Sequence, residues 1–87
     1  MEAVVVFPTT HLTLKAEKVF EEETIPFRTI MKPRRISSDC GLAIRITGDD
    51  VGRCRETVLS AGLIPAGFFR ETDRGWECLF RLEEGAD

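Results

Sequence analysis

Long hydrophobic runs are absent from this chain. No apolar stretch approaches the roughly 20 residues that a membrane-spanning helix needs. The start, Met1-Glu2-Ala3-Val4, also lacks the basic residues and the long apolar stretch of a secretory signal. We therefore expect a cytoplasmic protein without a membrane partner.

Cysteine and histidine are scarce. The chain has three cysteines, at positions 40, 54 and 78, and a single histidine, His11. An odd number of cysteines without C-x-x-C spacing fits neither a disulfide-stapled secreted domain nor a zinc ribbon. One histidine adds at most one further ligand, so we expect no metal site. A reducing cytoplasm is the simplest setting for these thiols.

An excess of positive charge is absent too. Twelve Lys and Arg against fifteen Asp and Glu give a net charge of −3, which argues against a general nucleic-acid binder. The 87 residues, of which 43% are hydrophobic and 31% charged, predict one domain over residues 1–87 with a thin core. A two-layer arrangement suits a core of that size.

Hydrophobic periodicity and breaker residues predict five strands and two helices. The strands are expected at residues 4–7, 27–32, 42–47, 64–70 and 76–82, and the helices at about 11–23 and 51–61. Thr9 and Thr10 supply N-cap hydroxyls for the first helix, and Gly62 closes the second. Residues 83–87 are interpreted as a frayed acidic tail.

This order predicts an α+β fold, a ferredoxin-like βαββαβ two-layer sandwich with an additional C-terminal strand. Both helices would cover one face of the sheet, and the other face would be wetter or meet a partner. The crossover makes the second strand parallel to the first, so the connection after it lies where the first helix begins. We therefore expect Thr9, Thr10 and His11 at the same edge as residues 37–41.

Cys40 is the candidate reactive residue. It lies in the polar turn Ser37-Ser38-Asp39-Cys40-Gly41, where we expect an exposed thiol rather than a packed one. The helix N-terminus and the basic run Lys32, Arg34 and Arg35 would lower its pKa, and His11 could accept its proton. The alternative is a structural role in which Cys40 fills the turn. Cys54 and Cys78 lie on apolar faces and are predicted to pack in the core.

The chain resembles the small bacterial Se/S carrier protein-like family over about residues 3–70. The most specific segment is Ser-Ser-x-Cys-Gly together with the upstream helix. The residues that carry the resemblance are Thr9-Thr10-His11, Lys15-Ala16-Glu17-Lys18, Ile25-Pro26-Phe27-Arg28, Pro33-Arg34 and Ser37-Ser38-Asp39-Cys40-Gly41-Leu42-Ala43.

The resemblance implies a non-enzymatic carrier without a cofactor. Cys40 would accept sulfur or selenium as a persulfide or selenenylsulfide, from a donor such as a cysteine desulfurase, and pass it to an acceptor protein. Gly41 would leave space for the extra atom. The residues that would line this site are Thr9, Thr10, Arg34, Arg35, Ser37, Ser38 and Gly41. Two alternatives stay open: a small-anion-binding or regulatory module, and a structural adaptor that forms a homodimer.

Overall fold

Five strands and two helices form the α+β fold in the described part of the chain. The computed structural model describes residues 2–36 and 40–80. In chain order its elements are β1 (Glu2–Val6), α1 (Thr10–Glu22), β2 (Arg28–Met31), β3 (Leu42–Thr47), a 3₁₀ turn (Gly48–Asp50), α2 (Val51–Ser60), β4 (Gly67–Thr72) and β5 (Gly75–Phe80). The α+β class is confirmed, and β3 has the predicted bounds. The largest difference is at β4, which begins at Gly67 because Ile64 lies in the preceding connection and is exposed.

The strands form one antiparallel sheet in the order β2-β3-β1-β4-β5. Val5 lies opposite Ile44 of β3, and Val6 lies opposite Gly67 of β4. Met31 pairs with Leu42 at the point where β2 ends and β3 begins. The end of β1, the start of α1, the end of β2 and the start of β3 therefore share one edge of the sheet. That edge holds Cys40.

The helices cover one face of the sheet. Val5 and Ile44 point to this side and pack in a cluster with Ala16 and Phe20 of α1. Cys54 of α2 belongs to the same cluster and is fully buried, as the sequence predicts. Amphipathic helices over a half-buried sheet thus form the first core.

The opposite face of the sheet is also covered. Val4 and Val6 alternate along β1 with the residues that face the helices. They pack with Ala43, Phe69 and Ile36 in a second cluster. Ile36 belongs to the connection after β2 and is only 1% exposed. The expectation that this face is more exposed to water therefore needs correction, because a segment of the chain itself covers it.

The connection after β2 is held at several points. The Lys32 amide donates to the Gly41 carbonyl at 2.9 Å, and the Lys32 amine donates to the Ile36 carbonyl at 2.6 Å. The Ile36 amide closes a turn onto the Pro33 carbonyl at 3.1 Å. These bonds fix where the chain leaves β2 and where it re-enters the sheet beside Cys40.

The C-terminal strand β5 differs from the sequence prediction in where its side chains lie. Cys78 is exposed rather than packed in the core. The register shifts between β4 and β5, so that Phe68 faces Phe80 whereas Phe69 faces Cys78. A bulge of this kind places one extra residue in β5 and breaks the strict alternation of faces. Residues 81–87, including the predicted acidic tail, lie outside the described part of the chain.

Both helices end in backbone motifs that turn the chain back towards the sheet. After α2, Gly62 has φ of 80°, and the Leu63 amide donates to the Val58 carbonyl at 2.9 Å. After α1, Thr24 takes the equivalent position with φ of 55°, and the Ile25 amide donates to the Phe20 carbonyl at 2.9 Å. Both are Schellman-type ends. Within residues 2–36 and 40–80, neither helix has the length and apolar character needed to cross a membrane.

Candidate functional site

Cys40 lies where the connection after β2 joins β3. Its side chain is only 3% exposed. The expectation of an exposed thiol therefore needs correction. The sequence reading treated the cysteine as part of an open polar turn, whereas the chain brings it under the first turns of α1.

The N-terminus of α1 is built by Thr9. Its backbone is extended, and its hydroxyl oxygen accepts the Leu12 amide at 3.1 Å, so Thr9 is the N-cap. Thr10 follows as the first helical residue, and its hydroxyl oxygen lies 3.6 Å from the Cys40 Sγ. The thiol therefore lies at the positive end of the helix dipole, a position that favours a thiolate.

Thr13 is the second hydroxyl beside the thiol. It is fully buried, and its Oγ1 lies 3.4 Å from the Cys40 Sγ. The same hydroxyl donates to the Thr9 carbonyl at 3.0 Å. The sequence reasoning missed this residue because threonine counts as polar in a helical pattern. Its spacing was the available signal, since Thr13 lies three residues before Ala16 and seven before Phe20, on the buried stripe.

Two further groups act on the Cys40 thiol. The Leu42 amide, at the start of β3, donates to Sγ at 3.4 Å. Burial raises the pKa of Cys40, but the hydrogen bonds from Thr13, the Leu42 amide and Thr10, together with the charge of Lys32, lower this pKa below its ordinary value. The site therefore stabilises negative charge on Sγ although the side chain is buried.

The remaining predicted site residues lie in several places. His11 is exposed and lines a shallow depression of α1 with Leu14, Lys15 and Lys18. Arg34 is exposed in the turn after Pro33. The Arg35 guanidinium lies beside Gly75 at the start of β5, where it would be 3.4 Å from a Cβ placed on that glycine. Of the basic run, Lys32 is thus the residue whose charge acts on the thiol. Ser37 and Ser38 fall outside the described residues.

Gly41 adjoins the thiol and is exposed. A Cβ placed on Gly41 would have no atom of the described residues within 4 Å. Within the described residues, no side chain therefore fills the space beside the Gly41 backbone.

The other two cysteines have different surroundings. Cys54 is fully buried, and burial together with the charge of Asp50 raises its pKa to about 12, against a smaller opposite effect of Arg53. Cys78 is exposed on an edge strand. Cys40 combines a lowered pKa with a set of nearby hydrogen-bond donors. This arrangement suits a nucleophilic thiol.

A metal centre has no ready set of ligands in the described ranges. No group of three His, Cys, Asp or Glu side chains within residues 2–36 and 40–80 is arranged to hold an ion.

Comparison with known proteins gives one match. A family model described as "Putative Se/S carrier protein-like" matches residues 2–70. No curated protein and no solved structure matches the chain. The matched range includes Thr10, Thr13, Lys32, Cys40 and Leu42, and it ends within β4, so that β5 lies beyond it.

Proposed function

The chain belongs to the Se/S carrier protein-like family, and we propose that it carries sulfur or selenium on Cys40. The chalcogen atom is bound to Sγ as a persulfide or a selenenylsulfide. A donor protein supplies it and an acceptor protein removes it. The domain turns over no small substrate of its own.

Loading is an exchange between two sulfur atoms. The Cys40 thiolate attacks the outer sulfur of a persulfide on the donor, for which a cysteine desulfurase is the expected source. A bond forms between Sγ and the transferred sulfur, and the bond between that sulfur and the donor cysteine breaks. The donor cysteine leaves as a thiolate, so no external oxidant or reductant is needed. Selenium follows the same balance when the donor carries a selenenylsulfide.

The observation that carries this proposal is the set of groups around Sγ. Thr13, Thr10 and the Leu42 amide lie within hydrogen-bond distance of it, and the charge of Lys32 also lowers its pKa. The thiolate is both the nucleophile of loading and the leaving group of unloading. Groups that stabilise it therefore favour both directions of transfer.

The low exposure of Cys40 adds a condition. A thiol that is 3% exposed must become more accessible before it meets the active site of a donor. No atom of the described residues lies within 4 Å of a Cβ placed on Gly41, which supports an approach from that side. We propose Arg34 as a contact for the partner proteins, because it is exposed in the same connection as Cys40. His11 stays a candidate proton acceptor on the first turn of α1.

We also infer that the fold is a ferredoxin-like sandwich with one added strand. Residues 2–72 run β1-α1-β2-β3-α2-β4, and β1 lies between β3 and β4 in the sheet. This arrangement supports the split βαβ interpretation. β5 then extends the sheet beside β4.

A loading assay tests the function directly. The protein is incubated with a cysteine desulfurase and free cysteine, and intact-mass and peptide spectra locate the added atom. We expect one added sulfur on Cys40 in the wild type and in Cys78→Ser, because Cys40 has the lowered pKa. A parallel incubation with selenocysteine and a lyase that accepts it asks whether selenium is loaded as well.

The matched variant is Cys40→Ser, which keeps the size of the side chain but removes the thiol. We expect no persulfide on it, although the exposed Cys78 is still present. Equal loading of Cys78 and Cys40 in the wild type, or no loading at all, would contradict the carrier function. Transfer onward is measured by the loss of the label from Cys40 when an acceptor thiol is added.

A further inference from the structure

The Thr13 hydroxyl has two neighbours and only one hydrogen. Its Oγ1 lies 3.0 Å from the Thr9 carbonyl and 3.4 Å from the Cys40 Sγ. A hydroxyl donates one hydrogen bond at a time and accepts others. The direction in which Thr13 donates therefore depends on whether Sγ carries its proton.

With a neutral thiol, Thr13 donates to the Thr9 carbonyl, and its oxygen is free to accept from the S–H group of Cys40. With a thiolate, the Thr13 hydrogen turns towards Sγ. The Thr9 carbonyl keeps the hydrogen bond from the Thr13 amide at 3.1 Å, so this carbonyl still has a partner when the hydroxyl hydrogen rotates away from it. The change needs only a rotation of the hydroxyl hydrogen.

We propose that Thr13 is a positioning residue for the carrier chemistry, one that turns its hydroxyl to Sγ when the thiolate forms and back to Thr9 when Sγ is protonated or loaded. This inference rests on the proposed function. The inner sulfur of a persulfide carries less charge than a thiolate, so loading releases the hydroxyl. Thr13 thereby favours the thiolate before loading and again at unloading.

Thr13 differs from the neighbouring Thr10 in its burial. Thr13 is fully buried, whereas Thr10 is exposed, and water competes for the hydroxyl of an exposed residue. Groups that also lower the pKa of this thiol are the Leu42 amide, the Thr10 hydroxyl and the charge of Lys32. They are unchanged when only Thr13 is replaced.

The test is the pH dependence of Cys40 alkylation by iodoacetamide. All variants carry Cys78→Ser, so that the exposed second thiol does not react. Thr13→Val keeps the shape of the side chain and removes the hydroxyl. Thr13→Ala removes both the hydroxyl and the methyl group, and Thr13→Ser keeps the hydroxyl alone. Far-UV circular dichroism reports whether each variant is folded.

We expect the alkylation midpoint to move to higher pH in Thr13→Val and Thr13→Ala, and to stay near that of the parent in Thr13→Ser. A lost hydrogen bond to an anion lowers the acid dissociation constant of the thiol about tenfold, and with it the thiolate fraction at pH values below the midpoint. Because a more basic thiolate is also more nucleophilic, alkylation near pH 7 should slow only about threefold. Thr10→Val should have a smaller effect.

Two results would overturn the proposal. One is an unchanged midpoint in folded Thr13→Val and Thr13→Ala. The other is a shift in Thr13→Ser as large as in Thr13→Val, which would mean that packing, not the hydroxyl, matters. This measurement needs no donor protein. Failure of the wild type to load sulfur would therefore reject the carrier function separately from the role of Thr13.

Discussion

At the residue scale, the three cysteines show how their surroundings decide the chemistry of one functional group. Cys54 is enclosed in the helix-side core, where burial disfavours the charged form of the thiol. Cys40 is also buried, yet hydrogen bonds at the start of α1 and β3 favour its thiolate. Cys78 is exposed on β5. Burial alone therefore does not make a cysteine inert.

The opposite pKa shifts of Cys54 and Cys40 predict opposite effects on stability in alkaline solution. The pKa of Cys54 is raised in the folded state. Its contribution to the free energy of unfolding is therefore fully present below the unfolded pKa of about 8.5 and is lost as pH rises towards 12. The pKa of Cys40 is lowered, so its contribution is present above the unfolded value and is lost as pH falls through the folded value. Denaturant unfolding at a series of pH values between neutral and alkaline measures both.

We expect Cys54→Ala to flatten the alkaline fall in the free energy of unfolding, by up to about 1.4 kcal/mol per pH unit. Cys40→Ser should instead remove a rise in the free energy of unfolding between the folded and the unfolded pKa of Cys40, and leave the slope above the unfolded value as it is. Cys78→Ser is the control for replacing a cysteine outside the core, because Cys78 is exposed. The same slope in Cys54→Ala as in the wild type would contradict the assignment of Cys54 as a buried neutral thiol.

At the scale of elements, hydrophobic periodicity was sufficient to predict a strand or helix where that element buries one face. The pattern at residues 42–47 predicts β3 because the large apolar residues Leu42, Ile44 and Ile46 alternate with smaller or polar ones, and the breakers around the strand are clear. The shared edge of α1 and the Cys40 segment followed from the crossover rule alone. The sequence analysis did not foresee that Ile36 covers the second face of the sheet, and it placed Cys78 in the core, for the same reason. A long connection that folds over a sheet and a bulge that changes the register depend on contacts between distant residues, which no local pattern encodes.

The connection after β2 should hold Cys40 in place through Ile36. Ile36→Ala removes a side chain that is 1% exposed and packs with Val4, Val6 and Phe69. We expect a loss of about 2–5 kcal/mol in the free energy of unfolding. We also expect faster alkylation of Cys40 under native conditions, because the segment before it loses its anchor. Denaturant unfolding and alkylation kinetics measure the two effects.

Met31→Ala is the matched control, because Met31 is a large apolar residue at the end of β2 but is 83% exposed. It should change stability by no more than about 0.5 kcal/mol and leave the alkylation rate as it is. Ile36→Ala with a normal alkylation rate, despite the loss of stability, would mean that other contacts hold Cys40 in place.

At the scale of the whole molecule, β1 joins the two cores. Val4 and Val6 are buried on the face covered by Ile36, and Ala3 and Val5 are buried on the face covered by the helices. A central strand that is buried on both faces cannot lose one cover without exposing apolar surface. The two cores should therefore unfold as one cooperative unit, as is usual for a domain of this size.

The single tryptophan makes this cooperativity measurable. Trp76 packs against the second core, whereas α1 and α2 lie over the first, so fluorescence and far-UV circular dichroism report on opposite faces of the sheet. We expect the two signals to change with the same midpoint and the same slope in guanidinium chloride. Trp76→Phe removes the fluorescence signal and should keep a single circular dichroism transition. A fluorescence change at lower denaturant than the loss of helix would mean that the second face opens first, and the connection that leads to Cys40 would then be released while the helices remain folded.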